Sequence, residues 1–436
     1  MLFSRSFAIA FAASALASLP GFGSSDGFVK MEFDILKDLG LSTSLNDFIT
    51  SLLPEKQLSS RDKSGSAPLI NQHTFYVTKL SIGNPASEVE VLLDTGSSDL
   101  WVMSSRNPQC KDNGGSIDCE QYGTYNETAS TTFKNNHTNF YIQYLDQTYA
   151  NGTWGTDDIS LTDTLKLKDA SLAVAEDSDS NVGVFGIGFI ELESGLQKYV
   201  NVPALMKQQG LINKVAYSLY LGSMESNKGN ILFGGVDHAK YSGDLKEIDI
   251  SLQNGKYPYL QIPLTQISVQ KDSSSSKVFN AKDSKFRSSL FNKRSGGNQS
   301  IDTKSAPALL DSGTTLSLLP DDVMKLVVEA IDPEAAYNSG AGGYIVNCTL
   351  ALPLNSVTFT FDGEKDIVVP MTDLIVSLGD SATGGQQCML GLVPGSMLIL
   401  GDNFLRSAYS VFNLDDKTIS IAQAKYSDNQ DISVIS

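Results

Sequence analysis

The 436-residue chain reads as a mostly β fold, bilobal, with two β-barrel-like lobes related by pseudo-two-fold symmetry. Three observations predict it. Runs such as "FYVTKLSIG", "VEVLLD", "FYIQY", "NILFGG", "VTFTF" and "ISIAQA" are rich in alternating, β-branched and aromatic residues and are separated by turn residues, the signature of strands. Helical patches are few, the clearest being "VPALMKQQGLI" and "PDDVMKLVVEAI", the second opening on Pro320-Asp321-Asp322, a helix-start signal. The third observation is an internal repeat. Leu92-Leu93-Asp94-Thr95-Gly96 and Leu309-Leu310-Asp311-Ser312-Gly313 share one pattern, and an apolar-apolar-Gly follows each, at Gly186, 92 positions after Asp94, and at Gly401, 90 positions after Asp311. Units of a solenoid are about 20 to 50 residues long, so this spacing suits two similar lobes facing each other. The length agrees, being too great for one ordinary core.

Taken in order, residues 1–17 read as a secretory signal peptide: Arg5 precedes the apolar run "SFAIAFAASALASLP", which ends in the small-residue pattern Ala15-Leu16-Ala17. The run falls short of the roughly 20 apolar residues of a membrane-spanning helix. Residues 18–67 pass from a short alternating strand, "FVKMEFDILK", to a helical pattern and then a polar hinge, the layout of a pro-segment. The N-terminal lobe is assigned to 68–247 and the C-terminal lobe to 248–427. Within the latter, Lys271 to Ser305 is rich in serine and lysine without sustained periodicity and reads as an exposed loop insertion carrying the dibasic pair Lys293-Arg294. Residues 428–436 form a polar tail that lacks the hydrophobic stretch of a GPI-anchor signal.

The net charge of −17 argues against nucleic acid and anionic membrane as partners, and a monomer without a membrane anchor is expected. Cys110, Cys119, Cys348 and Cys388 are an even set, so two disulfides are expected in an oxidising compartment. Three pairings are possible, of which 110 to 119 with 348 to 388 keeps each bridge local. No C-x-x-C occurs, and the three histidines, His73, His137 and His238, are scattered, so neither metal nor other cofactor is expected. Asn-x-Ser/Thr sequons at Asn126, Asn136, Asn151, Asn298 and Asn347 fit passage through a glycosylating secretory route.

Asp94 and Asp311 carry the chemistry. A single Asp-Thr/Ser-Gly is often an ordinary turn, but two copies in matching apolar contexts point to paired carboxylates. Each aspartate ends an apolar strand and precedes a glycine, whose missing Cβ lets neighbouring backbone come close. The turn N–H groups and the hydroxyls of Ser97 and Thr314 can bond the outer carboxylate oxygens. Brought together, the two like charges raise the pKa of one aspartate and the pair shares a proton. Such a pair holds a water, removes its proton as it attacks a peptide carbonyl and protonates the carbonyl oxygen. The chain has no H-E-x-x-H, no G-x-S-x-G and no Walker-type loop.

With both motifs, and with "GLINKVAYSLYL", "GNILFGGVDHAKYSGDL" and "LILGDNFLRSAYSVFNLDDKTISIAQAKY", the chain resembles the pepsin-like aspartic proteases, and among them the secreted yapsin and candidapepsin enzymes of yeasts. The match runs from about Phe75 to Tyr426, broken by the Lys271 to Ser305 insertion. The resemblance implies the bilobal pepsin-like acid protease fold, with a cleft between lobes holding Asp94 and Asp311, supported by Thr95, Gly96, Ser97, Ser312, Gly313 and Thr314. It implies the disulfides 110 to 119 and 348 to 388. It also implies that Tyr144 is the tyrosine of a substrate-covering hairpin flap and that Trp101 supports it through its indole N–H. Where the family has Y-G-[TD]-G-[ST], this chain has Tyr144-Leu145-Asp146-Gln147-Thr148, so both flap glycines are replaced by residues that adopt positive φ with difficulty. Asp146 on the flap would favour a basic side chain near the scissile bond.

The expected function is a secreted aspartic endopeptidase, made as a zymogen and hydrolysing proteins and peptides at acidic pH, free or retained at the cell wall. No Lys-Arg pair ends the pro-segment, whose basic residues there are Arg61 and Lys63, so self-cleavage in acid is the expected activation. The alternative is a catalytically silent relative using the cleft as a binding or inhibitory surface.

Overall fold

The computed structural model describes residues 27–37, 74–144, 147–162, 165–195, 197–226, 228–282, 305–380 and 385–436. The span 1–17 read as a signal peptide, the helical and hinge parts of the span read as pro-segment with Arg61 and Lys63, and also Leu145, Asp146, Lys293-Arg294 and Asn298 lie outside the described residues.

The fold is mostly β, as the alternating runs predict. In the first half the strands are β1 (Val29–Lys37), β2 (Thr74–Ile82), β3 (Ser87–Asp94), β4 (Leu100–Met103), β5 (Lys134–Gln143), β6 (Tyr149–Ser160), β7 (Lys166–Ser178), β8 (Gly183–Gly186), β9 (Ala216–Tyr220) and β10 (Lys228–Phe233). They form one sheet in the order β5-β6-β7-β4-β8-β3-β2-β1-β10-β9, which continues into Ala408–Asn413, Thr418–Ala424 and Tyr241–Asp249. Strands from both ends of the chain thus share a sheet, which ties the halves together. The second half adds a sheet built on Gln261–Lys271, Ala306–Leu310 and Ser356–Phe361, and a smaller one around Gln386–Leu390.

The internal repeat is a repeat of topology. β3 runs parallel to β8 with Asp94 opposite Gly186, and β8 is antiparallel to β4. In the second half Ala306–Leu310 runs parallel to Ile399–Leu400 with Leu310 opposite Leu400, and Ile399–Leu400 is antiparallel to Ser317–Leu319. The loop after each aspartate crosses over the later glycine. A Cβ on Gly186 would lie 2.6 Å from the amide nitrogens of Ser98 and Asp99, and one on Gly401 only 2.2 Å from the Thr314 carbonyl oxygen. No side chain fits at either crossing, which explains why the repeat ends in glycine.

Both foreseen helices form. Val202–Gln208 is capped by Asn201, whose side chain accepts from the Ala204 amide. Asp321–Ile331 buries Val323, Met324, Val327, Val328 and Ile331 on one face and carries Asp321 and Asp322 in its first turn, where negative charge suits the helix dipole.

Three segments depart from the sequence reading. The strand that opens the span read as pro-segment, β1, lies inside the main sheet, paired with β10 from Val29 to Asp34 and with β2 from Asp34 to Lys37. Val29, Met31 and Phe33 are buried, and the Phe33 ring packs edge-on against Tyr76 in the space left by the missing side chain of Gly229. The Lys271–Ser305 insertion is not loop throughout: Ser274–Asn280 is a strand antiparallel to Gln261–Lys271, with Ile267 opposite Phe279. Its serines hide the pattern, since among its described residues the core contacts come from Phe279 and Ala281, with Val278 packed beside them. The polar tail likewise contains a strand, Ile432–Val434, paired with Gly235–Asp237.

Candidate active site

The site forms where the two repeat motifs meet. Val91 and Leu93 on one side and Ala308 and Leu310 on the other are fully buried, so each aspartate is delivered at the end of a strand anchored in the core. Asp94 is 5% exposed and Asp311 7%. Within its own turn, Asp94 accepts from the Gly96 amide at 2.7 Å and from the Ser97 hydroxyl. Asp311 accepts from the Gly313 amide at 2.9 Å and from the Thr314 hydroxyl at 2.8 Å. These are the donors expected from the sequence, each motif satisfying its own carboxylate.

Thr95 and Ser312 do something the sequence alone does not reveal: they bond across the lobes. The Thr95 amide donates to Ser312 Oγ at 3.1 Å, and the Ser312 amide donates to Thr95 Oγ1 at 2.9 Å. Each hydroxyl then donates onward at 2.8 Å to the strand carrying the opposite aspartate, Thr95 to the Leu310 carbonyl and Ser312 to the Leu93 carbonyl. Four reciprocal bonds fix the separation of the two carboxyls.

The motif glycines also act across the pseudo-two-fold. A Cβ on Gly96 would lie 2.5 Å from Asp311 Oδ1, and one on Gly313 2.5 Å from Asp94 Oδ1. The neighbour that glycine accommodates is therefore the carboxylate of the other lobe. The two carboxyls face each other across the pseudo-two-fold, close enough to interact. Burial pushes the Asp94 pKa up, and the Asp311 charge adds to this against the Ser97 and Gly96 bonds. Burial also raises Asp311, opposed by its bonds to Thr314, Gly313, Asp94 and the Gly96 amide. Two buried carboxyls in contact favour one shared proton.

The Trp101 indole N–H donates to the Tyr144 hydroxyl at 2.7 Å, and Trp101 is wholly buried. Tyr144 closes a tight hairpin turn, its amide bonded to the Thr148 carbonyl at 2.9 Å and its carbonyl to the Gln147 amide at 3.0 Å. Gln147 has φ +69°, so the second replaced glycine leaves the chain in the left-handed conformation that glycine would take freely.

Sequence reading missed a second acidic cluster behind the site. Asp99 accepts from the Ser194 amide at 2.8 Å and the Tyr199 hydroxyl at 2.9 Å, and Glu193 Oε2 accepts from the Tyr199 amide at 2.9 Å. Glu193 Oε1 is buried without a partner among the described residues. Burial is the main reason its pKa rises to about 8; the charges of Asp99 and Glu191 add to the rise, while the Tyr199 amide and Lys198 oppose it. Only folding joins Asp99 to residues almost a hundred positions away.

Cys110 is bonded to Cys119 and Cys348 to Cys388, the local pairing. Asn126, Asn136, Asn151 and Asn347 are all exposed. Among the described residues no helix is long and apolar enough to cross a membrane.

Known proteins share this plan. The chain is 45% identical over 380 residues to Secreted aspartic protease 7 of Candida albicans, an alignment covering 85% of this chain and 64% of that protein, somewhat less than two thirds of its length. It is 38% identical over 378 residues to Aspartic proteinase yapsin-3 of Saccharomyces cerevisiae, covering 82% and 68%. It is 31% identical over 473 residues to Secreted aspartic protease 9 of Candida albicans, covering 86% and 81%. The sequence model of the family described as eukaryotic aspartyl protease matches residues 75–424, a span that takes in both aspartate turns, both glycine crossings and the reciprocal bonds between them, and this chain belongs to that family.

Proposed function

We propose that the protein is a secreted aspartic endopeptidase, made as a zymogen, that hydrolyses peptide bonds of proteins in acid with Asp94 and Asp311 as its catalytic pair. The single observation that carries the reading is the direct contact of two buried carboxyls, each bonded by its own turn and both held by reciprocal bonds between Thr95 and Ser312. A shared proton on such a pair is the general arrangement of aspartic proteases. The ionised carboxylate takes a proton from the water as it adds to the scissile carbonyl, while the protonated carboxyl gives its proton to the carbonyl oxygen. Collapse of the tetrahedral diol then needs one proton on the leaving nitrogen, which the same pair supplies. Tyr144, held by Trp101, is assigned to the flap over the substrate. Secretion rests on the leader at 1–17, the two disulfides and relatives that are themselves called secreted. The pro-segment is assigned to 18–67, glycans to the exposed sequons, and the working form to a monomer.

The test is cleavage of a quenched fluorescent peptide library by secreted protein between about pH 3 and 7, with and without a statine inhibitor. Acid-optimal, inhibitor-sensitive cleavage is expected. Folded, processed protein that cleaves nothing would replace this reading with the silent binding one.

Gly313→Ala tests the cross-lobe packing. Its Cβ would lie 2.5 Å from Asp94 Oδ1, so the carboxyl must move. Displacement of a reacting group by about 1 Å costs about 10²-fold in rate, and kcat is expected to fall at least that far while the disulfides and far-UV spectrum stay native. Unchanged kcat would show that the carboxyls tolerate separation.

A further inference from the structure

A cavity of about 590 Å³ opens between the halves of the chain, lined on one side by Ile190, Glu191 and Lys198 and on the other by Asn254, Lys256 and Tyr259. Both walls are tied to the dyad loops. Just before Ile190, the Gly188 amide donates to the Ser97 carbonyl at 2.8 Å, and the Phe189 carbonyl accepts from Ser98 Oγ at 2.6 Å. Just after Tyr259, the Leu260 carbonyl accepts from the amide of Leu310, the residue before Asp311, at 3.1 Å. Each wall thus adjoins, in sequence, a residue bonded to one of the two aspartate segments.

Its charge is opposite to that of the rest of the protein. Two lysines and one glutamate line it, in a chain of net charge −17. The Lys198 ammonium is held by a backbone carbonyl, and Lys256 is carried on a tight turn. Lys198 donates to the Glu193 carbonyl, in the loop that Asp99, Glu193 and Tyr199 pin from behind. Lys256 closes a two-residue turn in which Asn254 and Gly255 have φ +54° and +71° and the backbones of Gln253 and Lys256 bond in both directions. Neither ammonium forms an ion pair among the described residues. Long side chains usually spend conformational entropy to meet a charge, and here part of that ordering is done before a ligand arrives.

We infer that this cavity is a substrate subsite that selects an acidic side chain, glutamate or aspartate, a few residues from the scissile bond. The inference rests on the protease reading, because it takes the occupant to be an extended peptide held across Asp94 and Asp311. An incoming carboxylate meets two ammonium groups against the single opposing charge of Glu191. Its attraction requires an ionised substrate acid, so the preference grows as pH rises through about 4 to 5 and weakens with salt.

The experiment uses fluorogenic peptides in which one glutamate, or one glutamine, is walked through every position on both sides of a fixed cleavage site. It is run at about pH 5.5 and low salt, where a peptide glutamate is ionised. At one position glutamate is expected to exceed glutamine about 3- to 10-fold in kcat/KM, the range of a partly solvated ion pair. Lys198→Gln with Lys256→Gln is expected to bring that ratio to near one, and Glu191→Gln to increase it. The same peptides are titrated by anisotropy against the Asp94→Asn protein, which reads the preference without cleavage. Preferential binding of the glutamate peptide with no cleavage by the parent protein would overturn the catalytic reading and uphold the subsite. Equal handling of glutamate and glutamine at every position in both assays, or a preference that survives the double substitution, would overturn the subsite.

Discussion

Asp94→Asn is expected to lower kcat for peptide cleavage at pH 4 by about 10³-fold or more, and Asp311→Asn to do the same, because an amide neither takes the proton of the attacking water nor holds the shared one. The substitution is nearly isosteric. Asparagine at 94 keeps its one oxygen for the Gly96 amide, and its NH2 stands where the other oxygen accepts from Ser97, whose hydroxyl can turn to accept from it instead. It also removes one member of a buried like-charged pair, and the melting temperature above about pH 5 is expected to hold or rise. The combination of lost activity with kept or gained stability separates chemistry from folding. If activation is autocatalytic, the same variant is secreted with its pro-segment attached, which N-terminal sequencing reads directly. A variant retaining a tenth of the parent rate would remove Asp94 from the mechanism.

The second large effect is on stability in alkali. Glu193 has an ordinary pKa of 4.5 and is raised to about 8 in the folded protein. Between those values the folded state keeps a proton that the unfolded chain has released, so the stabilisation is complete below about pH 4.5 and is lost as pH rises towards 8. Asp94, Asp311 and Asp402 are displaced in the same direction, burial being the first cause for each, and they add to the loss. Several groups acting together are expected to lower the melting temperature by on the order of 10 °C from pH 4.5 to 8. Glu193→Gln mimics the protonated acid, keeps an acceptor for the Tyr199 amide and is expected to flatten part of that fall. A melting temperature that is level across the window, or a variant that tracks the parent, would rule out this source of alkaline instability. Net charge works in the same sense, since surface carboxylates that ionise with rising pH increase the self-repulsion behind the −17. Only the Glu193 substitution distinguishes a local cause from that general one.

Legibility followed the range of the interactions. Strand-forming runs, both helices, the paired aspartate turns and the donors from Ser97 and Thr314 were readable because each depends on residues a few positions apart. The insertion at Lys271–Ser305 misled because a strand that opens on three serines and is exposed over its first four residues lacks the alternation that identifies strands. Strand β1 was readable as a strand, but its place between β10 and β2 was not, since nothing local names a strand's neighbours.

What the sequence determined by itself is the inventory of the site: two carboxyls at strand ends, a glycine after each, a hydroxyl three positions on, and a later glycine for each loop to cross. Those are short-range facts of covalent order and turn chemistry. Tertiary structure alone decided that each motif glycine faces the other motif's aspartate, that Thr95 and Ser312 exchange bonds, that Asp99 meets Glu193 and Tyr199, and that Lys198 and Lys256 border one cavity. Each of these joins residues dozens to hundreds of positions apart, and their distances are set by how the two halves settle against a shared sheet and one continuous core.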